Sequence, residues 1–105
     1  MARAGSEDRT PTVKLKVMQE RERVAELNGK LGEHLKQVLK PALSQLDFAE
    51  KYFLDDKILK EQRTPAQLAR WLGGAETALK IAAQIREYVE GLSERYGPNA
   101  RVISG

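Results

Sequence analysis

The stretch that decides the fold is Thr64–Tyr96, TPAQLARWLGGAETALKIAAQIREYVEGLSERY. Thr64 is placed to cap a helix N-terminus, Pro65 suits the first helical position, and Gln67 stands where a capping-box partner belongs. Behind the cap, Leu68, Leu72, Ala75, Leu79, Ala82, Ile85, Val89, Leu92 and Tyr96 recur every three or four residues. A second row, Trp71, Ala78, Ile81 and Tyr88, widens the apolar stripe. A helix with so broad an apolar face needs more than one neighbour. At its far end Gly97-Pro98-Asn99 stops it, glycine supplying a left-handed cap and proline barring resumption.

Two readings of its middle stay open. In the first, Pro65–Gly73 and Ala75–Tyr88 form a helix-turn-helix with Ala69 at the crossing and Gly73-Gly74 in the turn. Thr77, Lys80 and Gln84 then face a DNA groove, and Arg63, Arg70 and Arg86 contact phosphates. The sector Arg63–Arg86 is cationic, with Glu76 its single acid. In the second, one long helix tolerates both glycines at a cost of about 2 kcal/mol. Trp71, Ala75, Ala78, Ile81, Ala82, Ile85 and Tyr88 then form an oligomer interface, the small residues permitting close approach.

Upstream, Val24, Leu27, Leu31, Leu35, Val38, Ala42, Leu46, Ala49 and Phe53 average about 3.6 residues per step, the α-helical period. Asn28-Gly29 and Gly32 are turn signals that interrupt this face, and Pro41 predicts a kink or a new helix start after Lys40. Pro41–Lys60, rich in large apolar residues, is the expected core partner of the organising helix, joined to it by the polar Lys60-Glu-Gln-Arg63. Acid-first pairs at four-residue spacing, Glu26 with Lys30, Asp47 with Lys51, Asp56 with Lys60 and Glu76 with Lys80, add local helix support. Thr12–Val17 alternates like a strand but runs into MQERERVAEL, so it reads as helix, with pairing to Arg101–Ser104 as the alternative. Gln19–Arg23 interleaves acids and bases and reads as a solvated face.

The chain of 105 residues has a net charge of +3, 41% hydrophobic residues and no cysteine, which excludes disulfides, thiolate metal sites and a cysteine nucleophile. His34 lacks ligands at helical spacing, and no cofactor or metal motif occurs. The carboxylates Asp47 with Glu50 and Asp55 with Asp56 lack a partner nucleophile, which argues against an enzyme. No apolar run is long enough for a signal peptide or a membrane span, so a cytoplasmic protein without membrane contact is expected. A surface-lying amphipathic helix is disfavoured because its polar faces carry as much acid as base.

The expected architecture is all-α, a helical hairpin or small bundle completed by homo-oligomerisation. It has an arm over residues 1–12, one helical domain over 13–96 and a short tail over 97–105. The expected function is a non-enzymatic self-association or adaptor module within a larger complex, with protein partners that the sequence does not name. A small DNA-binding protein is the alternative, and both are carried to the structure.

Overall fold

The computed structural model describes residues 9–101, and among them the chain is helical without strands. Its elements are α1 (Thr10–Asn28), α2 (Glu33–Phe48), a π-helical turn (Ala49–Phe53), α3 (Asp56–Glu61) and α4 (Pro65–Tyr96). α1, α2 and α4 form a three-helix rod of 52 × 23 × 22 Å.

The break at Asn28–Gly32 is real, and the C-terminal residues help to set it. Gly32 is extended at the start of α2, and its N–H donates to the Pro98 carbonyl at 2.8 Å. A Cβ there would displace the Asn99 side-chain amide and crowd the Pro98 carbonyl, so glycine suits the close return of the chain. Residues 97–100 therefore fold back onto the α1–α2 turn, and Ala100 packs on the core. Gly97 ends α4 with a positive φ of 91°, but its ψ of 162° is extended, so the left-handed helical cap expected there does not form.

Two sequence expectations on this half of the chain are corrected, the start of the first helix and the break at Pro41, while a third, that Thr12–Val17 is helical, is met. Helix α1 starts at Thr10, inside the expected arm, because Pro11 is preset for a helix N-terminus and Val13 is buried. Thr12–Val17 is helical; its expected strand partner, Arg101–Ser104, falls largely outside the described residues, as do residues 1–8 of the arm. Helix α2 runs through Pro41 without a new start. Pro41 and Gln37 are both exposed, so the carbonyl that loses its donor can turn to water.

Pro41–Lys60 is not one helix either. After Phe48 the chain widens into a π-turn, closed by Leu54 N–H donating to the Ala49 carbonyl at 2.9 Å. Asp55 then restarts the chain as α3, its carboxylate accepting from the N–H groups of Lys57 and Ile58. Helix α4 begins with the expected capping box: Thr64 Oγ1 accepts from Gln67 N–H at 3.1 Å, and Gln67 Oε1 accepts from Thr64 N–H at 3.2 Å.

The core is one cluster. Helix α1 contributes Val13, Val17, Val24 and Leu27; α2 contributes Leu35, Leu39, Ala42 and Leu46; α4 contributes Leu72, Ala75, Ala78, Ala82 and Val89. Spacings of three, four and seven, as in a coiled coil, carry each row along its helix. Direction follows from cross-links. Arg9 meets Glu76 and Glu20 meets Arg86, so α1 and α4 run parallel; Lys14 meets Asp56 and Arg21 meets Asp47, so α2 runs against α1.

Candidate interaction site

Helix α4 is unbroken at Gly73-Gly74, which overturns the helix-turn-helix reading. A turn would remove Leu72 and Ala75, both buried, from a single seam, and that burial outweighs the glycines' helix penalty. The two glycines differ in surroundings. Gly73 faces open space, whereas a Cβ on Gly74 would fall 2.4 Å from the Phe53 ring. Gly74 thus admits a ring that the π-turn presses onto α4.

The residues proposed to read DNA are dispersed. Arg63 precedes the helix, its N–H donating to Gln67 Oε1 at 2.9 Å. Arg70 and Lys80 are exposed but stand ten positions apart, about 15 Å along the axis. Thr77 Oγ1 turns back to donate to the Gly73 carbonyl at 2.9 Å, and Gln84 is exposed. Arg86 is held inside the rod by Glu20, so it is not presented to a phosphate backbone. Glu76 pairs with Arg9 at 3.0 Å.

Glu20 is the residue the sequence reading missed. It is the buried charged side chain of the described structure, only 3% exposed, and it accepts from the Arg86 guanidinium, with Arg23 at 3.8 Å. Glu90 approaches the same guanidinium at 3.4 Å. The pair keeps the Arg86 pKa above its ordinary value, chiefly through the Glu20 hydrogen bond, against a desolvation that lowers it. A signal for it existed. Val13, Val17, Val24, Leu27 and Leu31 leave one gap in the three-and-four alternation, and Glu20 fills it. Gln19–Arg23 is accordingly not a uniformly solvated face: Arg21 bridges Asp47 at 2.5 Å and Glu50 at 3.0 Å.

The expected interface residues separate into three groups. Ala75, Ala78 and Ala82 are consumed by the core of the chain itself, Trp71 and Ile85 are half-buried, and Ile81 and Tyr88 remain exposed. At about 100° per residue, Ile81 and Tyr88 lie about 140° and 160° round α4 from Arg86, on the flank away from α1. Gly74, Ile81 and Tyr88 are spaced by sevens, so they form one row. At Gly74 the row is roofed by aromatic rings. Phe53 packs edge-on to Trp71 with centroids 5.5 Å apart, Phe48 lies 5.4 Å from Phe53, and Tyr52 lies 4.8 Å from Phe48. Trp71 Nε1 donates to the Tyr52 carbonyl at 3.1 Å, which fixes the indole under the π-turn. Phe48 and Tyr52 are 46% and 45% exposed and Tyr88 is 55% exposed, so roof and row form an uncovered apolar face.

The carboxylates considered for acid–base chemistry each have a partner in the rod. Asp47 and Glu50 share Arg21, Asp55 caps α3, and Asp56 meets Lys14 at 2.6 Å. His34 is exposed, and among the described residues no cluster of metal-ligating side chains forms. No described helix is long and apolar enough to cross a membrane. Comparison with protein families, curated proteins and solved structures finds no match to this chain. The described residues thus form a three-helix rod with an exposed apolar face on the outer flank of α4.

Proposed function

We propose that this protein is a non-enzymatic helical self-association module, and that a second copy covers the outer face of α4. The observation that carries the reading is the heptad-spaced row of Gly74, Ile81 and Tyr88, apolar, directed away from α1 and uncovered beyond the Phe53 roof. Charge favours a second copy as the occupant. With that row as the seam, Lys80 and Glu87 occupy equivalent flanking positions one heptad apart, and both are exposed. Across a two-fold axis near Gln84, two antiparallel α4 helices bring Lys80 of each copy to Glu87 of the other, so one surface complements itself.

The seam also holds Thr77, Gln84 and Gly91, and this polar content makes the association weak and reversible. Such a rod could join copies or dock into a larger assembly by the same face. Light scattering coupled to size exclusion, over a concentration series, tests the reading. Tyr88→Glu is expected to leave a folded monomer at every concentration, and Lys80→Glu to weaken pairing that Lys80→Glu with Glu87→Lys restores. A chain that stays monomeric throughout, yet shifts with duplex DNA in a salt-sensitive way, would replace this reading with nucleic-acid binding through Arg63, Arg70 and Lys80.

A further inference from the structure

Among the described residues, each ion pair between separate helical elements has α1 or its preceding residue Arg9 as one partner. Arg9 meets Glu76, Lys14 meets Asp56, Arg21 meets both Asp47 and Glu50, and Glu20 meets Arg86. The seam between α2 and α4 holds no such pair among those residues. It is closed by Leu35, Leu39, Leu46 and Leu72 with alanines between them, and the π-turn extends it with the Phe53–Trp71 contact. The apolar contribution of α1 is smaller in kind: three valines and Leu27, with Leu15 and Met18 turned outward at 53% and 57% exposure. One helix of three therefore adds, to four buried apolar side chains, every ion pair that joins separate elements among the described residues, whereas the other two meet by apolar packing without such a pair.

The two attachments respond to different solvents. Salt screens the exposed pairs of α1, while apolar burial between α2 and α4 is not weakened by sodium chloride. The pivot falls at Gly29 and Lys30, both exposed, on the α1 side of Leu31, which is buried in the core, and of Gly32, which is held by Pro98. We propose that α1 is an electrostatically latched strap, which undocks as a unit before the α2–α4 hairpin opens and uncovers the apolar groove beneath it. Ionic strength, or a polyanion or polycation competing for the paired charges, sets how often the strap is open. The latch is independent of the outer face of α4, because Ile81 and Tyr88 lie on the flank away from α1.

Amide hydrogen exchange on the full chain, read residue by residue as protection factors, tests the proposal. Raising sodium chloride from about 0.05 M to about 1 M is expected to lower protection in residues 14–27 about tenfold, with residues 35–46 and 75–92 changing less than about twofold. Arg21→Gln is expected to produce the same selective loss at low salt. Arg21→Glu should deepen that loss, and adding Asp47→Lys with Glu50→Lys should restore protection by reversing the pair. The proposal is overturned if α1, α2 and α4 share one protection factor and one salt response. It is equally overturned if Arg21→Gln leaves α1 unchanged or loosens all three helices alike, since α1 would then open only in global unfolding.

Discussion

Between α2 and α4 the seam is built of leucines and alanines from both sides, whereas α1 meets the same two helices with valines, Leu27 and a buried Glu20. The apolar seam needs no directional partner, so its strength depends on filling space. The α1 seam depends on where charges sit along the axis, because Glu20 must find Arg86 and Arg21 must find Asp47 and Glu50. A non-directional seam holds two helices together; a directional one fixes which way and at what height the third one docks.

Removing one buried charge strikes the α1 seam hardest. Glu20→Ala leaves the Arg86 guanidinium, 12% exposed, with only the more exposed Glu90 beside it, and a loss of about 3 kcal/mol is expected in chemical denaturation. Replacing both partners, Glu20→Leu with Arg86→Met, should recover most of that loss, and a double variant as unstable as the single one would show that the pair itself stabilises the rod. Leu39→Ala tests the apolar seam at a fully buried position, and about 2–5 kcal/mol should be lost. That loss should be the same at low and high salt, whereas the stability of the native chain should fall with salt through α1.

The glycine pair gives a smaller contrast within α4. Gly73→Ala adds a Cβ in open space and should stabilise the rod by about 1 kcal/mol through helix propensity alone. Gly74→Ala gains the same propensity but drives a Cβ into the Phe53 ring, so its thermal midpoint should fall below that of Gly73→Ala, with a change in Trp71 fluorescence.

Acid gives the smallest expected effect. The hydrogen bond from Lys14, then its charge, holds the Asp56 carboxyl below the ordinary carboxylate range, and Lys60 adds to this from a distance. A depressed folded-state pKa contributes stability that is present above the ordinary carboxylate value and lost as pH falls through the folded one. The α1 attachment should therefore begin to loosen below about pH 4, and Asp56→Asn should remove that part of the pH dependence. Arg21 is shifted the other way, raised chiefly by its hydrogen bond to Asp47, so its contribution is present below the ordinary arginine value and stays constant through neutral pH.

The all-α class, the α4 cap and the stop at Gly97 could be read from the sequence because each depends on neighbours within a turn of helix. The core rows of α2 and α4 were legible for the same reason, as periodicity is a local property. What failed was local inference applied to long-range charges. Asp47, Asp56 and Glu76 stand four residues before a lysine, yet the ion pairs the structure gives them are to Arg21, Lys14 and Arg9. A pairing of modest strength within one helix yields to one that also docks a second helix.

Of the candidate site, the sequence supplied Ile81 and Tyr88 but placed them beside Ala75, Ala78 and Ala82, which the rod itself buries. Helical phase alone assigns residues to one side of a helix, and it does not say whether that side meets the same chain or solvent. The tertiary structure decided that, because only the docking of α1 and α2 determines which flank of α4 is left uncovered. It also decided the path through Gly73-Gly74, since the burial of Leu72 and Ala75 in one seam exceeds what two glycines cost a helix. Sequence determined the helices, their caps and their faces through contacts within a turn; packing between helices decided their order, the fate of each charge and the face that remains open.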